Sequence, residues 1–315
     1  MVRTKGATME IRTVAVLGAG AVGSYFIWGL KEKLGEGLWV IASGSRKERL
    51  EQQGIRVNGE EISLNIRTPE EAAGADLLLV AVKYGALEES LDDIERIADE
   101  HTIVLSLLNG VDSEEIIGKR IGRERLLYSL MKIASERKEN SIVFNSAATQ
   151  GVFFGEADGR TDSERITSLV HLLEGTEVNY HVCENIICDI WHKFALNISK
   201  NLPQAIIGCG YGAYESSVHM EALSSGLRSE VVAVAKAKGI DISDESNVAG
   251  KNNAVSPYAR FSTLQDLDAG RHTEIDMFSG AMMRMGHELG IPTPYNEFTY
   301  HAIKALEEKN DHRFA

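Results

Sequence analysis

Proline is scarce in this chain, 5 residues in 315, and cysteine scarcer, at 3. So little proline excludes a Pro-rich spacer between parts of the chain. Cys183, Cys188 and Cys209 are odd in number and form no C-x-x-C pair. That excludes a disulfide framework and a zinc ribbon, and it fits a reducing, cytoplasmic location. Positive charge is also short. Lys and Arg number 33 against 46 acids, a net charge of −13, which argues against a nucleic-acid or anionic-membrane partner while leaving room for a local basic pocket. One uncharged run, residues 13–30, follows Arg3, Lys5 and Arg12 and mimics a signal peptide or membrane span. Glycines at 18, 20, 23 and 29 make it a poor spanning helix. Residues 1–8 read as an unstructured extension ahead of Met9.

The composition is otherwise that of a globular protein, 43% apolar and 25% charged, at a length that suits two domains. Glycine is plentiful, at 29 residues, which with so little proline points to tight turns inside folded elements. Apolar patterning in the first half alternates strand and helix. It predicts strands over 12–17, 38–42, 75–82 and 102–107, with helices over 21–34, 46–53 and 87–98. Residues 55–57 and 62–66, joined through Asn58-Gly59, carry a hairpin signal. Alternation of this kind implies an α/β, Rossmann-type, doubly wound parallel sheet. From residue 184 long 3.6-period segments take over, at 186–201, 218–237, 273–289 and 296–309. An all-α C-terminal domain follows, so the expected domains are 9–183 and 184–315, with no Gly, Ser or Pro linker between them.

Gly18-Ala19-Gly20-Ala21-Val22-Gly23 is G-x-G-x-x-G between a strand and a helix. The first glycine permits the tight turn and the second lets backbone approach a pyrophosphate. The third lets helix and strand pack, with the helix N-terminus aimed at the phosphates. Where an NAD site has an Asp or Glu after the second strand, this chain reads Ser43-Gly44-Ser45-Arg46-Lys47. Two hydroxyls and two cations suit a 2′-phosphate, so NADP(H) is the expected cofactor. The alternative is that Arg46 and Lys47 are solvated first-turn residues of the next helix.

Further pieces fall into order along the chain: Ala81-Val82-Lys83, Leu108-Asn109-Gly110, Trp191-His192-Lys193-Phe194-Ala195-Leu196-Asn197 running on to Asn201, Phe261-Ser262-Thr263, Thr273-Glu274-Ile275-Asp276, Gly280, and Gly290-Ile291-Pro292. Over residues 10–308 this ensemble closely resembles the ketopantoate reductase (2-dehydropantoate 2-reductase) family. The resemblance implies NADPH-dependent reduction of ketopantoate to pantoate in pantothenate biosynthesis. It implies Lys193 as general acid, with Glu274 and Asn197 beside it. Lys83 and Asn109 would flank the nicotinamide end of the cofactor cleft, and Asn197, Asn201 and Ser262 the substrate. A homodimer is compatible with it.

The residues support these roles by themselves. Lys193, Asn197 and Asn201 are spaced i, i+4, i+8, so on an α-helix they share a stripe about 80° wide. Hydride attack on a 2-oxo carbon makes an alkoxide that needs a proton donor, and an ammonium supplies both proton and charge. Burial would lower the pKa of Lys193 and Glu274 nearby would raise it. Lys83 and Asn109 follow strand ends, where open α/β sheets bind ligands, though both also suit loop capping. Ser262 can equally be a helix N-cap, with Gln265 completing a capping box. Glu274 can equally sit in an exposed first helical turn. His192 points about 100° away from Lys193, and His181 and Cys183 lack the further ligands of a metal site. The arginine common in the family directly after the second strand is displaced to Arg46, which leaves cofactor choice open, and two further positions depart from the family pattern. Tyr211 and Ala259 stand where substrate-side asparagines are common, which leaves room for another 2-oxo acid, an opine-like product or, if Lys193 has no role, a non-catalytic nucleotide sensor.

Overall fold

The structure, a computed structural model, describes residues 9–138, 141–145, 148–244 and 255–314. The extension expected at residues 1–8 lies outside them. Two compact units divide between Ile186 and Ile187.

In the first unit, β1 (Val14–Leu17) is fully buried and lies between β2 (Leu38–Ile41) and β6 (Leu77–Val80), parallel to both. The sequence VAVL has no polar position because both faces of the strand are covered, as parallel strands require. The main sheet has the order β12-β11-β8-β7-β6-β1-β2-β5, where β5 is Ile66–Arg67, β7 Ile103–Ser106, β8 Leu126–Lys132, β11 Gly151–Gly155 and β12 Tyr180–Val182. β11 runs antiparallel to β8 and parallel to β12, so the expected parallel sheet carries two reversed strands at one edge. On one face, α1 (Ala21–Leu34) and α5 (Glu164–Leu173) bury Phe26, Ile27, Leu30, Ile166 and Leu169 against Val14, Val16 and Leu79. On the other, α3 (Leu87–Ile97) and α4 (Ser113–Ile121) bury Leu91, Ile94 and Ile117 against Ala15, Leu17 and Leu78. α1 matches its predicted bounds.

Several elements differ from the periodicity. α2 (Gly44–Gln53) begins two residues early, because Gly44 takes φ +51° and turns the chain into the helix. The hairpin keeps its turn, with Asn58 at φ +51° and Gly59 at +84°, between β3 (Ile55–Val57) and β4 (Glu60–Ile62). Its second arm is cut short, since Ile66–Arg67 leaves to pair with β2. β3 and β4 instead join β9 (Ser135–Lys138) and β10 (Ser141–Phe144) in a second sheet.

The second unit is helical. α6 (Ile186–Leu196) runs into a π-helical turn, Asn197–Asn201, and then α7 (Leu202–Ile207). The short α8 (Ala213–Ser216) leads into α9 (Val218–Ala237), and α10 spans Ser262–Asp268. A second π turn, Asp276–Gly280, leads into α11 (Ala281–Leu289), followed by α12 (Pro294–Asn310). The expected helices at 186–201 and 273–289 are therefore interrupted, and the second starts three residues later. Met277, Phe278, Met282 and Met285 are buried core. Among the described residues no helix is long and apolar enough to cross a membrane.

Candidate functional site

In the first unit the parallel strands deliver the predicted cofactor residues to one edge, their carboxyl ends. Gly18 follows β1 at φ +110°, and a Cβ there would lie 2.5 Å from the Ala81 carbonyl oxygen. At Gly23 a Cβ would meet the Gly18 carbonyl oxygen at 1.8 Å, whereas at Gly20 it would meet nothing within 4 Å. Two of the glycines are thus demanded by packing. The third borders open space, as a backbone made to be approached by a ligand must. Ser24 N donates to Gly20 O at 2.8 Å, which starts the α1 ladder. The amides of Ala21, Val22 and Gly23 precede that ladder and, as first-turn groups, have no intrahelical acceptor. With no acid in the first turn, the helix end favours an anion.

After β2, Ser43 and Arg46 are exposed, and the Ser43 side chain makes no capping bond. Lys47 Nζ instead lies 3.8 Å from Glu71 Oε2. Glu71 is held below the usual carboxylate range by the Thr68 amide and by the Lys47 charge. Lys83 is exposed just past β6, and its carbonyl accepts from Ala86 N. Asn109, half-buried past β7, precedes Gly110 at φ +99°.

In the helix that follows Asn109 lies a group that the sequence did not reveal. Glu114, in the first turn of α4, is buried and accepts from Ser113 Oγ at 2.9 Å, while Ser113 Oγ pairs with Ser106 Oγ at 2.7 Å. Burial pushes its carboxyl up to about 7, against the opposing pull of the Ser113 bond. Tyr84, one residue past Lys83, donates to Asp112 Oδ2 at 2.7 Å, so the β6 and β7 loops are tied. Acids at a helix start ordinarily read as solvated; only the strands packed over Glu114 reveal it.

In the second unit, Lys193 lies on α6, and Asn197 and Asn201 bound the π turn. The uniform α-helical stripe expected for these three does not hold across that turn. A turn closed by i→i+5 bonds rotates less per residue, so Asn201 comes back over Asn197. Asn201 Nδ2 donates to Asn197 Oδ1 at 3.3 Å. The two π turns pack on each other, and Phe194 meets Phe278 with ring centroids 6.3 Å apart. Glu274 lies before the second π turn rather than in an exposed first helical turn. It is half-buried, and its carbonyl accepts from Met277 N and Phe278 N. Two residues on, Asp276 is held below the usual range: burial pushes it up, but bonds from Lys304 and Tyr300 outweigh that.

Ser262 is exposed and is the first residue of α10, with Phe261 in the cap position, so the capping alternative fails. Gln265 Nε2 donates to Arg260 O instead. The approach to Ser262 is set by Gln204, which sequence reasoning missed. Fully buried, it donates to Ala259 O at 2.9 Å and accepts from Phe261 N at 2.7 Å. Tyr211 and Ala259, the departures from the family pattern, meet: Tyr211 N donates to Ala259 O at 3.1 Å. The Tyr211 ring packs on Phe261 and Tyr214, each at 5.6 Å. His181, weighed as a metal ligand, stacks on Phe153 at 4.3 Å.

Two family models match this chain. One, described as ketopantoate reductase PanE/ApbA, covers residues 14–159, and the other, its C-terminal part, covers residues 185–307. The chain belongs to the ketopantoate reductase family. It is an oxidoreductase of the 2-dehydropantoate 2-reductase type. The 2-dehydropantoate 2-reductase of Mesorhizobium japonicum is 27% identical, over 93% of this chain and 96% of that protein. The enzyme of the same name from Archaeoglobus fulgidus is 26% identical, over 95% and 99%. Among solved structures, the family's ketopantoate reductase from Ralstonia eutropha superimposes with a TM-score of 0.78 at 25% identity, covering 95% of this chain and all of that one. A D-mandelate dehydrogenase solved with NADH and anilino(oxo)acetate has the same fold, with a TM-score of 0.78 at 23% identity over 95% and 99%.

Proposed function

We propose that this protein reduces 2-dehydropantoate to pantoate with NADPH, Lys193 acting as general acid. The observation that carries the reading is the pair Asn197 and Asn201, bonded across the π turn that ends the helix of Lys193, with that turn packed on the one that follows Glu274. When bound, the dinucleotide supplies the hydride. Gly18, Gly20, Ala21, Val22 and Gly23 cradle its pyrophosphate, and the open space at Gly20 fits that role. Ser43 and Arg46 meet the 2′-phosphate, with Lys83 and Asn109 nearer the nicotinamide. Lys193 polarises the 2-oxo group and then gives its proton to the alkoxide oxygen. Glu274 and Asn197 orient that ammonium, while Asn201 and Ser262 bond the substrate's polar groups.

A second substrate is favoured by one observation. Tyr211 and Ala259 put an aromatic ring and a methyl group on the approach to Ser262. A 2-oxo acid with a more apolar side chain than 2-dehydropantoate suits that surface, and the curated relatives' names weigh on the other side. Following NADPH absorbance with 2-dehydropantoate against a panel of 2-oxo acids decides between them. Highest kcat/KM on 2-dehydropantoate is expected; a better panel member would replace it. Equal efficiency with NADH would overturn the cofactor assignment.

A further inference from the structure

The residues on both sides of Glu274 are held by one face of α12. Glu307, with its side chain 2% exposed, accepts from the Thr273 amide at 2.7 Å and the Thr273 hydroxyl at 2.6 Å. Its other oxygen lies 3.5 Å from His272 Nδ1 and 3.4 Å from Lys304 Nζ. Lys304 also donates to Asp276 Oδ2 at 2.7 Å, and Tyr300 donates to Asp276 Oδ1 at 2.8 Å. His272 Nε2 reaches Asp311 at 3.2 Å. Positions 300, 304, 307 and 311 recur at three- and four-residue steps, so they form one stripe. That stripe grips 272, 273 and 276 and brackets the position between them.

A buried carboxylate is costly unless its oxygens are bonded. Here the bonds go to a non-helical backbone amide immediately before Glu274, in a segment that no helix or sheet ladder fixes. We infer that Glu307 is a positioning residue for the reaction. It sets the backbone of Thr273, and with Lys304 and Asp276 it holds the register in which Glu274 enters the π turn. The inference rests on the proposed role of Glu274.

Glu230 supplies the control. It is also buried, and from α9 it accepts from Tyr295 N at 2.7 Å and Asn296 N at 3.0 Å, at the opposite end of α12. Both glutamates hold α12 in place, but Glu307 alone of the two bonds next to Glu274. The experiment measures kcat, KM for the 2-oxo acid, NADPH affinity by fluorescence and the urea midpoint for Glu307→Ala, Glu307→Gln and Glu230→Ala. Displacement of a catalytic group predicts a kcat about ten-fold or more lower in Glu307→Ala, with NADPH affinity held within about two-fold. Glu307→Gln recovers much of the loss, because its amide oxygen still accepts from Thr273. Glu230→Ala loses stability yet keeps kcat within about two-fold. Equal kcat losses at equal destabilisation, or a folded Glu307→Ala with unchanged kcat, would overturn the inference. If Glu307→Ala does not fold, Thr273→Val and Tyr300→Phe each remove one grip and must lower kcat; unchanged kcat in both overturns it. A wild type that reduces no 2-oxo acid defeats the underlying reading, whereas an active wild type with indifferent variants defeats the positioning role alone.

Discussion

The glycine turn of the first unit and the π turns of the second build their surfaces by opposite means. At Gly18 and Gly23 side chains are removed so that backbone can close on backbone, leaving the helix amides and the open face of Gly20. At Asn197–Asn201 and Asp276–Gly280 the helical turn is widened, and the polar side chains of Asn197 and Asn201 are brought together. The lesson concerns failure. A surface made of backbone breaks when atoms are added, and one made of side chains breaks when atoms are taken away.

Gly23→Ala tests the first half with the largest effect on folding. Its methyl has no room beside the Gly18 carbonyl, so a loss of about 3 kcal/mol or more is expected from overpacking against backbone. Gly20→Ala has room and should unfold like wild type while binding NADPH more weakly. Urea melts and cofactor fluorescence on the pair check this; equal destabilisation of both would break the contrast.

Glu114 sharpens the comparison, because the first unit too buries a bonded polar side chain, joined through Ser113 to Ser106 at the end of β7. Burial raises its folded pKa to about 7, from the 4.5 of a solvated glutamate. The folded state therefore binds the extra proton between these values. The associated stability is fully present below pH 4.5 and is lost as pH rises through 7, a change of about 3 kcal/mol. Glu114→Gln should remove that slope from urea unfolding measured at pH 5 and pH 8. An unchanged slope would show that the burial of Glu114 is not what drives it.

On the side-chain surface, Asn201→Ala should raise KM for the 2-oxo acid about ten-fold, roughly the worth of one bond to a charged group, with NADPH affinity unchanged. Arg46→Ala carries the smallest expected effect. An exposed cation facing a 2′-phosphate should cost NADPH about five-fold in affinity and NADH nothing. Loss with both cofactors would assign Arg46 a role other than reading the phosphate.

The same contrast explains what was legible in the residues. Gly18, Gly20 and Gly23 announce themselves because glycine has few reasons to recur at that spacing, and α1 and α9 follow from clear patterning. The π turns were hidden. One extra residue in a turn leaves an apolar pattern near enough to 3.6 that residues 186–201 read as one helix. The hairpin's second arm looks longer in the sequence than it is, because Ile66 fits its alternation but pairs with β2. Glu114, Gln204 and Glu307 look like ordinary polar residues, and their roles come from partners 15 or more positions away in sequence: Ser129 for Glu114, Ala259 for Gln204 and Thr273 for Glu307. The strands and the two helices between residues 113 and 182 lack a periodicity strong enough to separate them.

The most direct test of this division of labour is Lys193→Ala, assayed for NADPH binding and for reduction of 2-dehydropantoate. Removal of the general acid predicts turnover lower by about 10²–10⁴-fold with cofactor affinity unchanged. Turnover within a few-fold of wild type would contradict the assignment of Lys193 and return the protein to a nucleotide-binding role without chemistry.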